Sequence, residues 1–349
     1  MALQLPAMEY RFLGKTGLKV SVIGLGSWLT YGGHVEDDRT YECLKVAYDA
    51  GINFFDTAEG YEGGKSETIM GKAIKRFGWK QQDLVISTKI YWGAHNGSRK
   101  DALNNQGLSR KHIIEGLDLS LKRLQLPYVD VVYAHRPDRH TPIEESVRAF
   151  NHVINQGKAM YWGTSEWTAS EIAEAWRVAD KLNLIGPVVE QPQYNLLHRE
   201  RVENEYRWLY AEHGLGLTVF SPLKQGILTG KYNNVSVPPP DSRLAGDGKT
   251  GFINDFTANF GDQAWREALA VVSNLMPIAE ELNVTPAQLA LAWALKNPNV
   301  SSLITGASRA EQIFENIKAI EVVPKLTPEI MKRIEDAAQT APKLDPLRY

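Results

Sequence analysis

Of the 349 residues only one, Cys43, is a cysteine. A single thiol cannot close a disulfide within the chain, which fits a reducing compartment. Its place in an apolar-periodic stretch gives it a packing role. The opening residues, Met-Ala-Leu-Gln-Leu-Pro-Ala, have neither a basic start nor a long apolar run, so no secretory signal is read there. No stretch approaches the roughly 20 apolar residues of a membrane helix. The expectation is a cytoplasmic protein with no direct membrane insertion, in which Asn96-Gly97-Ser98 is a chance match to a glycosylation triplet. The net charge of -2 lacks the basic excess that nucleic acid would require. No His-Glu-x-x-His occurs, and a Pro-containing loop separates His135 from His140, so no metal site is expected. A dinucleotide fingerprint is also missing. Gly24-Leu25-Gly26 follows a strand, but Leu29 stands at the third glycine position and no helix begins there.

What is present is a rhythm. After a hairpin between Tyr10 and Val22, short apolar strands alternate with helices of 3.6 periodicity about eight times. The strands are read at Ser21–Gly26, Asn53–Ala58, Leu84–Ile90, Val129–Arg136, Met160–Ser165, Pro187–Gln191, Leu217–Ser221 and Ser302–Thr305. They are continuous apolar runs, as expected where both faces are covered. Eight such units close a parallel (β/α)8 barrel; a doubly wound sheet is the competing architecture. The rhythm breaks from Leu223 to Gly261, a stretch rich in Gly, Pro, Asn and Asp, and connections this long are usually functional lids or disordered. A helix is read at Arg201–Glu212 between two of the strands, and further helices follow at Ala268–Leu282, Pro286–Lys296, Ala310–Ile320 and Pro328–Ala338. The whole chain, 1–349, reads as one barrel domain, with residues 1–9 flexible and 224–262 forming a lid over a cofactor.

In such a barrel the strand C-terminal ends surround one site. Those ends carry Asp56 and Tyr61, then Lys89, His135, Ser165-Glu166, Gln191 and Phe220-Ser221. Lys89 and His135 end otherwise apolar strands, where a buried charge needs a partner, and Asp56 is the nearest one in barrel order. A phenol near pKa ~10 donates poorly at neutral pH, and a neighbouring Lys89 ammonium is expected to lower that value. With His135 hydrogen-bonding a carbonyl oxygen, the set describes general-acid catalysis of carbonyl reduction.

At these residues the sequence resembles the aldo-keto reductases, and within them the branch that contains the voltage-gated potassium channel beta subunits. The resemblance runs from about Tyr10 onward. It is carried by Phe54-Phe55-Asp56-Thr57-Ala58 with Tyr61, by Gly107 to Gly116, by Tyr161-Trp162-Gly163-Thr164-Ser165, by Ser221-Pro222-Leu223, by Gly230-Lys231-Tyr232, and by Gly306-Ala307-Ser308 leading to Glu315-Asn316. It implies a catalytic tetrad of Asp56, Tyr61, Lys89 and His135, with Tyr61 as general acid. It further implies NADPH or NADP+ across the barrel mouth, bordered by Trp28 and Asp56. The carboxamide would be held by Ser165 and Gln191, and Phe220 would stack on the nicotinamide. Ser221, Pro222, Leu223, Gly226, Lys231 and Arg243 would line the pyrophosphate. Gly306, Ser308, Arg309, Gln312, Glu315 and Asn316 would hold the adenosine end, where Arg309 can fork onto a 2′-phosphate.

Animal channel beta subunits carry Asn where His135 stands and are slow enzymes, so retention of His favours a competent reductase of aldehydes or ketones. Glu166 departs from the Asn of many reductases and the Arg of the animal subunits. When ionised it cannot donate to a carboxamide oxygen, which leaves it to accept from a substrate or a basic residue. Trp28, Tyr61, Trp92, His135 and Trp167 are candidate substrate walls, with specificity from the loop Trp92–Gln106. The alternative implied by the same resemblance is an accessory, redox-sensing subunit on the cytoplasmic domain of a potassium channel, with NADP(H) as a slowly turned-over ligand. The branch also implies a homotetramer. A noncatalytic scaffold gives no reason for the four polar groups.

Overall fold

A computed structural model of the chain describes residues 5–28, 37–94, 103–239, 242, 244 and 260–344. Strands β1 (Tyr10–Phe12) and β2 (Lys19–Ser21) form the antiparallel hairpin. Eight parallel strands follow: β3 (Ile23–Gly26), β4 (Phe54–Asp56), β5 (Val85–Ile90), β6 (Val129–Ala134), β7 (Ala159–Thr164), β8 (Val189–Glu190), β9 (Gly216–Val219) and β10 (Val300–Thr305). They pair in chain order, and β10 returns to β3, so the sheet closes into a barrel. This is the (β/α)8 architecture read from the alternation of units, and the doubly wound sheet is excluded.

Period-2 alternation divides the strand side chains between two cores. Phe54, Val85, Val131, Tyr133, Val189 and Ile304 fill the inside of the barrel, and Leu13 and Val20 of the hairpin region join them. Their neighbours, including Phe55, Ile86, Val132 and Ala134, face outward into the larger core against the helices. Those helices are α1 (Asp37–Asp49), α2 (Lys65–Phe77), α3 (Arg110–Leu124), α4 (Ile143–Asn155), α5 (Ala169–Lys181) and α6 (Arg207–His213). After β9 come α7 (Gln263–Glu281) and α8 (Pro286–Lys296), and after β10 come α9 (Ala310–Ile317), α10 (Ala319–Val322) and α11 (Pro328–Ala338). Starts are set by side-chain caps: Ser109 accepts from His112 N, and Thr168 and Thr285 each form a reciprocal box with the residue three ahead.

Four elements differ most from the sequence reading, and one is the helix read at Ala310–Ile320, which breaks into α9 and α10. The helix expected over Arg201–Glu212 begins as a π turn, Arg201–Glu205, before α6. The helix expected at Ala268 begins at Gln263, because Asp262 Oδ1 accepts the Trp265 amide at 2.7 Å. The long connection after Leu223 opens with a 3-10 segment, Lys224–Thr229; much of the remainder of 224–262 lies outside the described residues. No helix among the described residues is long and apolar enough to cross a membrane.

Candidate active site

The inner parity of the strands decides what meets at the barrel mouth. Asp56 is two residues beyond Phe54, Lys89 four beyond Val85, His135 two beyond Tyr133 and Gln191 two beyond Val189, so all four point inward above the apolar filling. Strand register then sets them side by side: Asp56 pairs with Ser87, and Lys89 with Tyr133.

Lys89 is fully buried, and its ammonium is fully committed. Nζ lies 2.5 Å from Asp56 Oδ2, 2.8 Å from Thr57 O and 3.2 Å from Tyr61 Oη. The other carboxylate oxygen, Asp56 Oδ1, accepts from Ser87 Oγ at 2.7 Å and from Gln191 Nε2 at 3.1 Å. Burial pushes the Lys89 ammonium down, but attraction to Asp56 and Tyr61 outweighs it and leaves the group above its ordinary value. The charge is therefore retained in a place where water cannot stabilise it.

Tyr61 overturns one expectation. Burial raises its phenol above the ordinary value of 10.0 and Asp56 adds to the rise; Lys89 and Arg136 pull it down without prevailing. Tyr61 thus stays protonated with a lysine ammonium on its oxygen. That suits a proton donor to an alkoxide, which is a stronger base than a phenolate. His135 stands with ring centroids 5.7 Å from Tyr61 and 6.5 Å from Trp92. Burial, Lys89 and Arg136 hold its imidazole well below the usual 6.5, so it is neutral, and Nδ1 is buried without a partner among the described residues. A neutral imidazole still has one N–H to give a carbonyl oxygen.

Further round the mouth, Ser165 Oγ donates to Gln191 O at 2.8 Å, which ties the ends of β7 and β8 together. Glu166, at φ +59, accepts the Gln193 amide at 2.6 Å, and its other oxygen lies 4.0 Å from Arg201 Nη1. Phe220 is half-buried and pairs with Gln193. Beyond it the backbone turns left-handed at Ser221, Lys224, Gln225 and Gly226 (φ +51, +47, +51 and +95), with the Lys224 and Gly226 amides donating back to Ser221 O and Leu223 O. A Cβ at Gly226 would come within 2.8 Å of Lys231 Cε, so the exposed lysine folds across that bare glycine. Ser308 donates through both N and Oγ to Gln312 Oε1, Glu315 Oε1 accepts from Thr285 Oγ1, and Asn316 is buried. Gly306 and Arg309 are exposed in the turn that precedes α9, while Pro222 is buried and Leu223 half-buried.

Trp28 is half-buried at the end of β3 and Trp92 is 48% exposed at the rim. Trp167 is buried at 2% exposure and lines a separate cavity of about 260 Å³ with Asp138, Arg139 and Glu171. Arg243, Leu29 and residues 95–102 of the loop after β5 lie outside the described residues.

Sequence reasoning missed three groups. Glu59 is buried, and its Oε1 accepts the Tyr91 amide at 2.7 Å, the Gly93 amide at 3.0 Å and His112 Nε2 at 2.9 Å, so one carboxylate clamps the Tyr61 loop to the Trp92 loop. His112 is the second member of that clamp. Arg136 is the third: Nη1 donates to His135 O at 2.5 Å and to Ser165 Oγ at 3.2 Å. An acid three residues past a strand end, opposite a His in an apolar helix face, was the available signal for the pair.

Residues 22–339 match the family model described as "Aldo/keto reductase family". A probable voltage-gated potassium channel subunit beta of Arabidopsis thaliana is 52% identical over 336 residues, which cover 96% of this chain and 98% of the relative. One of Oryza sativa subsp. japonica is 50% identical over 336 residues, with the same two shares. A relative of Schizosaccharomyces pombe with the same kind of name is 54% identical over 339 residues, 96% of this chain and 94% of its own length.

Proposed function

The chain belongs to the aldo/keto reductase family, which supports an oxidoreductase, and from that premise we propose that it reduces aldehydes or ketones to alcohols with NADPH and with Tyr61 as general acid. The observation that carries this reading is the Lys89 ammonium, buried and shared between Asp56 Oδ2 and Tyr61 Oη. A structural ion pair would gain nothing from also holding a phenol at the mouth of a barrel.

NADPH, when bound, supplies the hydride that reaches the carbonyl carbon. The residues present fit it: a left-handed backbone cradle at 221–226 closed by Lys231, and a paired Ser165 and Gln191 on the nicotinamide side. In this reading Ser165 and Gln191 orient the carboxamide and Phe220 covers one ring face. Ser221, Leu223, Lys231 and Arg243 take the pyrophosphate, and Ser308, Arg309, Gln312, Glu315 and Asn316 take the adenosine end. The protein's own work is at oxygen. The His135 N–H and the Tyr61 O–H both meet the carbonyl oxygen, and charge developing there is stabilised before it is protonated. Tyr61 then gives up its proton, and Lys89 holds the resulting phenolate. Asp56 keeps Lys89 charged and aimed throughout.

Single-turnover NADPH absorbance with 4-nitrobenzaldehyde tests this. Wild type is expected to oxidise NADPH, while Tyr61→Phe falls by about 10²–10⁴ and His135→Asn also falls sharply. NADPH that binds but is oxidised no faster in wild type than in Tyr61→Phe would refute the reductase reading.

A second reading rests on the names of the relatives, which are those of potassium channel beta subunits at 50–54% identity. In it the protein is a homotetramer on a channel's cytoplasmic domain and uses NADP(H) as a slowly consumed ligand. Co-purification with a potassium channel from the same source, and a light-scattering mass of four chains, are its expected results. A monomer with no stable channel complex would end it.

A further inference from the structure

We propose that the preferred substrates are carbonyl compounds that also carry a carboxylate, and that Arg136 is the residue that selects them. The inference rests on the reductase reading above and concerns the same mouth. Arg136 follows His135 directly and is half-buried between the ends of β6 and β7. Its described bonds are both made by Nη1 and both go to neutral oxygens, His135 O and Ser165 Oγ. Nη2 and Nε make no hydrogen bond among the described residues, and no carboxylate there lies within 4.0 Å of the guanidinium.

The acids that could have neutralised it are engaged elsewhere. Asp56 is held by Lys89, Ser87 and Gln191. Glu59 is held by Tyr91 N, Gly93 N and His112. Glu166 accepts from Gln193 N and faces Arg201. Asp138, two residues along the chain, is turned to Leu108 N, His140 N and Thr141 Oγ1. Among the described residues the mouth therefore holds a lysine that is neutralised and a guanidinium whose Nη2 and Nε fork is uncommitted.

That fork is close enough to matter. The field of Arg136 reaches Tyr61 and His135, the groups proposed to meet the carbonyl oxygen, and also Tyr91. A guanidinium presents paired N–H donors in the plane that a carboxylate matches with two oxygens. In a half-buried cleft such a pair is worth more than on an open surface. With Trp92 as the exposed rim, an aromatic or short aliphatic aldehyde acid fits, its carbonyl at Tyr61 and its carboxylate at Arg136.

The test compares 2-, 3- and 4-carboxybenzaldehyde with their methyl esters, which keep the ring but lose the charge; because the ester withdraws electrons more than the carboxylate, each acid-to-ester ratio is read against the same ratio in Arg136→Gln. Wild type is expected to show kcat/KM about tenfold or more higher for at least one acid than for its ester. Arg136→Gln is expected to abolish that ratio mainly through KM, by a larger loss for the acid than for its ester. Arg136→Lys keeps part of the preference, since it keeps the charge and loses the fork. An equal loss for acid and ester in Arg136→Gln would overturn the proposal and make Arg136 a positioning residue for Ser165. So would an acid-to-ester ratio no higher in wild type than in Arg136→Gln. Benzoate binding by titration calorimetry separates the two readings. If no aldehyde is reduced but benzoate binds wild type and not Arg136→Gln, the reductase reading fails and the anion site stands. If aldehydes are reduced with no role for Arg136, the reverse holds.

Discussion

The Lys89–Asp56 pair has a pH signature that few interactions share, and Asp56→Asn exposes it. Asparagine keeps the shape and can still accept from Ser87, but the charge opposite a fully buried ammonium is gone. Breaking a buried pair from one side costs about 3–5 kcal/mol. The protein has one escape, release of the Lys89 proton, which at pH 7 costs about 4.6 kcal/mol from a reference value of ~10.4. The two figures agree, so Asp56→Asn should lose about 4 kcal/mol at neutral pH, a large share of the ~5–15 kcal/mol typical of a folded chain.

The sign with pH then differs between the two proteins. In wild type the native Lys89 value is raised. Its contribution is complete below the unfolded value of ~10.4 and is lost as pH climbs through the native one. In the variant, burial acts without the carboxylate and the native value falls below ~10.4, so the unfolded chain holds more proton across that window and stability rises with pH. The gap between the proteins should therefore narrow by up to about 1.4 kcal/mol per pH unit as alkali is approached. Urea titrations of both proteins at pH 7.5 and 9.5 measure this, and all other lysines cancel in the difference. A gap that is the same at both pH values would mean that Lys89 keeps its charge without Asp56, and the account of the site would be wrong.

Other consequences are as direct. Glu59→Ala strands the Tyr91 and Gly93 amides and frees both mouth loops; a loss of roughly 2–5 kcal/mol in urea and a raised KM for aromatic aldehydes are expected, and an unchanged KM would remove Glu59 from substrate positioning. Glu190 is wholly buried on the outer parity of β8, bonded to Thr164 Oγ1, and burial lifts its carboxyl to about 8. The native state then keeps a proton that the unfolded chain loses above ~4.3, so wild-type stability falls as pH rises from there toward 8. Glu190→Gln, which cannot titrate, should gain on wild type across that window, and a constant difference between melts at pH 5.5 and 7.5 would refute it. Gly226→Ala forces a side chain into a φ of +95 and against Lys231; weaker NADPH binding by fluorescence titration is expected, and unchanged affinity would detach the cradle from the nucleotide.

The barrel was legible because its strands are short apolar runs and its helices announce their ends. Pro286–Lys296 was placed to the residue, and in the structure Thr285 and the proline that follows it set that start. The Arg201–Glu205 π turn was not legible, since a helical stripe reads the same whether one turn is widened or not. Asp56, Lys89 and His135 could be grouped from sequence because strand order makes them neighbours, whereas the direction of the Tyr61 shift could not. It depends on how much water reaches the phenol, which no spacing records. Glu59 and Arg136 escaped notice for a related reason: their roles come from backbone amides and carbonyls on other loops, and those have no sequence identity.

The two halves of the mouth come from different parts of the chain. Every group proposed to act at the carbonyl oxygen lies between Asp56 and Arg136, on three adjacent strands and the loops that follow them, whereas the contacts proposed for the pyrophosphate and adenosine lie between Ser221 and Asn316. On the proposed reading, chemistry and nucleotide occupancy are then separable traits under selection. One substitution in the first segment would silence turnover and leave a protein that still registers the cell's NADPH. A lineage of this barrel could pass from catalyst to sensor without rebuilding its fold, and could return by the same single step.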